Sequence, residues 1–332
     1  MIPNYHYFLV IAEEGSLSKA SRRLLISHQG LSKYLKSLEE QYQVTLFNRK
    51  PKLSLTPAGG MLYESLRQIE LYEKNLEVRL ADFHRSDTGS IKFGTTEARF
   101  RVLIPELLVQ FQKKYPQVEL IPICANSNEL REMILDNQLD LMLTASSAKD
   151  SARLNSMLIM NEQLYLVISD NLLKKYFSEK FPYCKAEFCK GVNLHDFQDV
   201  PFIMNRKSFA SRDMIDSYIE KNNIKLNCVC EIVQGDIRYL LAEKDYAACF
   251  CPSMLLPGIR TDSRFHLSNS KLNIFPIAGF DTTNPVRLLY LKERIFPQYE
   301  NDLIALIKEI CTQFLNPLPE TQAVSTQLNT PH

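Results

Sequence analysis

FLVIAEEGSLSKASRRLLISHQGLSKYLKSLEEQYQVTLFNRKPKLSLTPAGG, from Phe8 to Gly60, decides how the rest of the chain is read. A first helix is predicted over residues 5–13, with Tyr5, Phe8, Leu9 and Ala12 on one face at helical spacing. Gly15 breaks it. Ser16 is placed to cap a second helix, which turns Leu17, Ala20 and Leu24 inward and leaves Lys19, Arg22 and Arg23 largely outside that stripe. Ile26 and Ser27 form a turn. Ser27 can cap a third helix that carries Leu31, Leu35 and Leu38 at i, i+4 and i+7. Its opposite face holds His28, Gln29, Ser32, Lys33 and Lys36. A strand pair over 45–47 and 53–55 follows, joined by Asn48, Arg49, Lys50, Pro51 and Lys52. Thr56 ahead of Pro57 is a cap with proline at the first helical position, so a fourth helix starts there.

Charge is concentrated in the same stretch. Between Ser16 and Thr56, Lys19, Arg22, Arg23, Lys33, Lys36, Arg49, Lys50 and Lys52 are opposed only by Glu39 and Glu40, about +6 in a chain whose net charge is +1. A basic patch on an otherwise slightly acidic protein is the electrostatic footprint of a polyanion-binding module. Hydrogen-bonding side chains of moderate reach, gathered at a helix N-terminus, suit base edges and phosphates. A basic hairpin tip beside them suits the backbone or the minor groove. The remaining composition, 45% apolar and 23% charged over 332 residues, is that of a globular protein of two to three domains. No apolar run is long enough for a transmembrane helix. The first residues do not read as a secretion signal, and a cytoplasmic protein is expected.

Residues 5–60 resemble the winged helix-turn-helix of LysR-type transcriptional regulators. The matching elements are FLVIAEEGSLSKAS, LLISHQGLSKYLKSLEE, LFNR and LTPAG, and the spacing between them also matches. The resemblance implies an N-terminal all-α winged helix-turn-helix and linker helix, then a two-lobed α/β regulatory domain like a periplasmic binding protein. It implies base- or phosphate-reading roles for His28, Gln29, Ser32 and Lys33, and a backbone contact for the wing residue Arg49. Lys36, Lys50 and Lys52 complete the expected DNA-binding set. The implied partners are double-stranded DNA with a pseudo-palindromic site, a small-molecule effector, a second copy as homodimer or homotetramer, and RNA polymerase. The chain departs from the family where alanine is usual at Gly30, glycine at Gln43, and arginine often at Lys33.

The expected domains are 1–60 for DNA, 61–88 for a linker helix and hinge, 89–316 for the regulatory region and 317–332 for a flexible tail. In the linker, Leu62, Leu66, Ile69, Leu76, Leu80 and Phe83 follow a coiled-coil spacing that fits pairing of two copies. Ser86, Asp87, Thr88 and Gly89 read as the hinge. From Ser90, strands and helices alternate, which argues for parallel sheets with helices on their faces. Lobe 1 is expected at about 89–163 and 270–316, and lobe 2 at about 164–269. Ligands in such folds bind where strand C-termini meet helix N-termini. That selects Thr95, Thr96 and Glu97; Asn126 and Ser127; Asn205, Arg206, Lys207 and Ser208; and Gln234 with Gly235. Hydroxyls and amides at helix N-termini favour a carboxylate or other small anion. The family often places Gly-x-Gly ahead of a strand that ends in proline, and here Asp245 and Ala247 occupy those positions.

The eight cysteines are Cys124, Cys184, Cys189, Cys228, Cys230, Cys249, Cys251 and Cys311, expected as reduced thiols. Cys228, Cys230, Cys249 and Cys251 fall in strands and read as buried thiols; the sharper alternative is a thiol or redox sensor of the same family. Segment 171–200 reads as an insertion that packs on lobe 2 through Tyr176, Phe177, Phe181 and Tyr183. It also holds Cys184, Cys189 and His195, a zinc set that lacks a fourth ligand. No metal or cofactor is expected. Asp140 and Glu231 stand as isolated carboxylates, and no P-loop, Gly-x-Ser-x-Gly or His-Glu-x-x-His is present. From another class, an enzyme or small-molecule binding protein with an appended helix-turn-helix is the alternative, and a catalytic residue set is not expected.

Overall fold

The structure is a computed structural model that describes residues 4–50, 52–84, 88–145, 152–207, 209–256, 259 and 272–314. Pro51 of the hairpin tip, Ser86 and Asp87 of the expected hinge, Ser208 and the 317–332 tail lie outside the described residues, as does the side chain of Phe83. The chain divides into two compact units. One comprises residues 1–86 with 132–138 and 291–297, and the other comprises 87–131, 139–290 and the C-terminal part from Gln298.

In the first unit, α1 (Tyr5–Glu14), α2 (Leu17–Leu24) and α3 (His28–Tyr42) pack around Phe8, Leu9, Ile11, Ala20, Leu31, Leu35 and Leu38, all buried. The caps form as their residues predict: the Ser16 hydroxyl accepts from Lys19 N and the Ser27 hydroxyl from Gly30 N. β1 (Phe47–Asn48) and β2 (Ser54–Leu55) form the wing. They are shorter than expected and begin later, because Thr45 and Leu46 are spent elsewhere. Thr45 O accepts from the Thr56 hydroxyl, and Leu46 N donates to Glu39. α4 (Pro57–His84) starts at the Thr56 cap, with Gly59 N donating to its hydroxyl. Gly59 is required there, since a Cβ would stand 2.0 Å from Leu46 O. Further along, Asn75 of α4 donates to Glu293 O at 2.7 Å and accepts from Ile295 N at 3.0 Å.

The second unit holds two five-stranded sheets. The first has the order β4-β3-β5-β12-β6: Val118–Cys124, Gly89–Thr95, Leu141–Ala145, Asn284–Leu291 and Leu154–Glu162. α5 (Glu97–Lys114), α6 (Ser127–Leu135) and the C-terminal α11 (Gln298–Thr312) accompany it. The second has the order β11-β7-β10-β8-β9: Leu272–Pro276, Leu164–Ser169, Ala248–Pro252, Pro201–Met204 and Asn227–Glu231. It is accompanied by α7 (Asp170–Tyr176), α8 (Cys184–Phe188), α9 (Ala210–Lys221) and α10 (Gly235–Glu243). Both sheets are mixed rather than parallel: β12 runs against β5, and β7 runs against β10 and β11. These are the strands beside the two crossings, where the chain must reverse to change sheets. β11 places residues 272–276 in the second lobe, so the return to the first lobe comes at Asn284 rather than near residue 270. Gly89, expected in the hinge, opens β3.

Segment 171–200 packs on the second lobe, as expected. α7, α8 and a short 3-10 turn (Leu194–Phe197) carry Cys184, Phe188, Leu194 and Phe197 into the second-lobe core, with Tyr176, Phe177 and Phe181 packed against them. Tyr183 does not join them and is 84% exposed.

Candidate nucleic-acid interface and effector site

The buried leucines of α3 fix which of its faces is free. His28, Gln29, Lys33 and Lys36 are exposed and Ser32 is half-buried, all on the side away from Leu31, Leu35 and Leu38. Leu25, in the left-handed region at φ 56, makes the turn and is 93% exposed. Gly30 belongs to the cap: a Cβ would stand 3.1 Å from the Ser27 hydroxyl and 3.2 Å from Ile26 Cγ2. The usual alanine would press on both. Gln43 takes the left-handed C-cap at φ 52 that glycine ordinarily fills.

The basic residues separate by what holds them. Arg23 pairs with Glu13 at 2.6 Å and Glu14 at 3.2 Å, and so braces α2 on α1. Lys36 lies 3.5 Å from Glu40, one turn on, an exposed pair of little energetic weight. Arg49 pairs with Glu39 at 3.2 Å, and the same carboxylate accepts from Leu46 N and Phe47 N. Glu39 therefore ties the wing to α3, a role its acidic charge alone does not announce. Lys33, Lys50 and Lys52 are exposed with no ion pair among the described residues.

The effector candidates fall into two groups, one at the strand ends of each sheet. In the first lobe, the buried Thr95 hydroxyl donates to Leu143 O at 2.9 Å and is consumed by the sheet. Thr96 occupies the N-cap of α5 without capping it, and receives Arg99 Nη1 at 3.5 Å. Glu97 pairs with Arg101 at 2.6 Å. Asn126 caps α6, accepting from Asn128 N and Glu129 N, and the Ser127 hydroxyl lies 3.4 Å from that of Thr144. In the second lobe, Asn205 is buried, bonded to Ser211 and to Arg206 N, while the Arg206 and Lys207 side chains are exposed. Gln234 is the N-cap of α10 with no side-chain cap, and Gly235 is its first residue. Thr96 and Gln234, together with the exposed Arg206 and Lys207, are thus candidates whose side chains capping does not consume.

Three arginines near these groups escaped the sequence reading. Arg99 pairs with Glu162 at 2.6 Å; Glu162 closes β6 at one crossing and also accepts from Asn284, which opens β12 at the other. Arg101 lies 3.7 Å from Asp236 in the first turn of α10 and so links the lobes. Arg238 sits on the buried side of α10, 5% exposed. An arginine on the stripe that also carries Tyr239 and Ala242 was the signal available. Two carboxylates read as isolated are engaged: Asp140 accepts from Lys92 N at 2.8 Å, and Glu231 pairs with Arg212 at 2.6 Å.

The thiols divide as well. Cys249 and Cys251 are fully buried; burial pushes Cys249 up to about 12 and Cys251 higher. Cys228 is exposed and Cys230 half-buried, contrary to a buried quartet, because β9 is an edge strand. Among the described residues, no group of His, Cys, Asp or Glu could hold a metal ion, and no helix is long and apolar enough to cross a membrane.

A winged helix-turn-helix with a free basic face, followed by two linked α/β lobes, defines a DNA-binding regulator that carries its own ligand-sensing domain. The chain belongs to the LysR family of bacterial transcriptional regulators: residues 3–60 match the family "Bacterial regulatory helix-turn-helix protein, lysR family", and residues 84–312 match "LysR substrate binding domain". It is 23% identical over 312 residues to the HTH-type transcriptional regulator CysB of Burkholderia cenocepacia, covering 92% of this chain and 93% of that one. A full-length OxyR variant from Pseudomonas aeruginosa shares the fold at TM-score 0.69 and 16% identity, over 93% of this chain and 97% of that one. Full-length CbnR in complex with its target DNA shares it at TM-score 0.55 and 19% identity, over 93% and 99%.

Proposed function

We propose that this regulator, acting in the cytoplasm as a homodimer or homotetramer, reads a pseudo-palindromic DNA site through α3 and its wing, and that a small anion in the regulatory domain changes how it sits there. The observation that carries the reading is the free face of α3. His28, Gln29, Ser32, Lys33 and Lys36 stand opposite three buried leucines and beside Arg49, Lys50 and Lys52. The α3 side chains supply base-edge and phosphate contacts, and the wing residues supply backbone contacts. CbnR, a relative in fold, has been crystallised on its target DNA, which supports the same use of this unit here.

Pairing of α4 between two copies is supported by Ile69, Tyr72, Leu76 and Leu80, large apolar side chains exposed on one helix. Two recognition helices then meet half-sites about 34 Å apart, one helical turn of DNA. An anionic effector is supported by Thr96 and Gln234 at helix N-termini that their side chains do not cap. RNA polymerase is the further partner this reading implies.

The test is footprinting of the purified protein on the DNA upstream of its own gene, across a salt series and against random competitor. Two protected half-sites, with affinity falling steeply as salt rises, are expected. No preference over random DNA there, and no sequence selected from a random pool, would sink the reading.

A further inference from the structure

Arg238 is the fourth residue of α10, more than nine-tenths buried, and its Nε has no hydrogen-bond partner. Among the described residues no carboxylate lies within ion-pair distance of its guanidinium, and the ring of Tyr239, centred 6.0 Å from Cζ, is a contact at the outer limit of cation–π range. Helical side chains lean toward the N-terminus, so residue i covers residue i−3. Here Arg238 Nη2 lies 3.5 Å from where a Cβ would stand on Gly235. The Tyr239 hydroxyl lies closer still to that point, at 3.2 Å, so the phenol and the guanidinium together line the first turn, and a side chain at position 235 would press on both. The acid of that turn is directed elsewhere: Asp236 lies against Arg101 Nη1 at 3.7 Å and accepts from Ile237 N at 3.1 Å. The first amides of α10 add their partial positive charge to the same end.

A buried guanidinium with no counter-ion among the described residues is costly to maintain, and an anion would offset that cost. We infer that the first turn of α10 is an anion-binding site whose charge-bearing contact is Arg238, and that it takes a compact oxyanion presenting two coplanar oxygens, a carboxylate or a sulfate-type group. Guanidinium geometry matches such a pair through two parallel hydrogen bonds. The inference rests on the effector reading above and deepens it, by naming the residue and the lobe that hold the ligand's charge.

The test uses the full-length protein with acetate, sulfate and inorganic phosphate as probes, and chloride as the ionic-strength control. Titration calorimetry and thermal unfolding are read for wild type, R238M and R238K. R238M leaves no charge in the pocket and fills similar volume, and circular dichroism confirms its fold. A saturable response to at least one oxyanion is expected in wild type, weakened about 30-fold or more in R238M. R238K falls between them, since it keeps the charge and loses the fork. Which probe binds separates a carboxylate ligand from an inorganic one. Equal affinity in R238M, or no saturable response of wild type to any of the three, overturns the inference. Binding lost in R238M that leaves the wild-type DNA footprint unchanged by the anion keeps the site and removes the effector reading.

Discussion

Glu39 and Lys33 show how charge counting and structure can point in opposite directions. By charge alone, removing Glu39 from a basic patch should strengthen DNA binding. The structure gives Glu39 three bonds that hold the wing on α3, to Leu46 N, Phe47 N and Arg49. E39A is therefore expected to weaken DNA binding and to lower stability by about 1–3 kcal/mol, the cost of leaving those amides unpaired. Tighter binding by E39A in a gel-shift titration would mean the carboxylate only repels. K33A, which breaks no ion pair, should cost about 1–3 kcal/mol of DNA affinity and shallow the salt dependence by about one ion. The thiols carry a prediction of their own. A raised thiol pKa means less thiolate at every pH below it, so Cys249, pushed up to about 12, and Cys251, higher still, stay protonated near pH 8. Iodoacetamide at pH 8 followed by peptide mass spectrometry should label the exposed Cys124, Cys189 and Cys228 and leave Cys249 and Cys251 intact. Rapid labelling of Cys249 or Cys251 would bring the redox sensor back. The caps and the exposed face of α3 were legible in sequence because they depend on neighbours within four positions. The role of Glu39 and the burial of Arg238 were not, since both come from packing that only the folded chain supplies.

Among the elements, α4 was read with correct ends and an incomplete face. Its start at Thr56 and Pro57 is local chemistry, and nothing breaks it before His84. The expected single seam is divided. Leu66 is buried with the helix-turn-helix core, whereas Ile69, Leu76 and Leu80 are exposed, joined by Tyr72. On another face Arg67, Leu71 and Asn75 are buried; Asn75 is held by Glu293 and Ile295, a contact over two hundred residues away in sequence that no periodicity could announce. Two strands escaped for the same reason. β6 and β11 are set by their pairing partners, as are the exact bounds of the expected strands β1 and β2, while helices and the apolar β7 carry their own signal. The exposed row leads to a direct expectation. L76E places a charge in the middle of the proposed pairing face, and light scattering should show loss of the α4-mediated dimer, with DNA affinity falling at least about tenfold as two half-sites cease to be held together. A variant that keeps both its mass and its two-half-site footprint would show that α4 is not the pairing element. Because Leu76 is 56% exposed, the substitution should leave the monomer folded.

Across the regulatory domain as a whole, a buried ion pair of the first lobe stands where the chain crosses to the second. Glu162, 1% exposed, ends β6 with only Gln163 between it and β7 in the other sheet, and it binds both Arg99 on α5 and Asn284 at the return crossing. The alternation of strands and helices made the two-lobed class legible, but not where the chain crosses, since the crossings depend on strands that run against their neighbours. A buried pair of this kind is costly to desolvate, and breaking one half of it is costlier still, because the remaining charge is stranded. E162A should therefore lose about 3–5 kcal/mol, which in a domain of this size lowers the midpoint of thermal unfolding by roughly 10 °C. R99M/E162M removes both charges and fills their volume, and should recover most of that loss. The cycle separates two explanations of the ion pair. If the double variant is as unstable as E162A, the hydrogen bond to Asn284 holds the crossing and the charges do not. If the double variant recovers stability yet no longer responds to an anion that shifts the wild-type footprint, the ion pair serves the anion response rather than the cohesion of the first lobe, and its desolvation cost is the stability given up for that response.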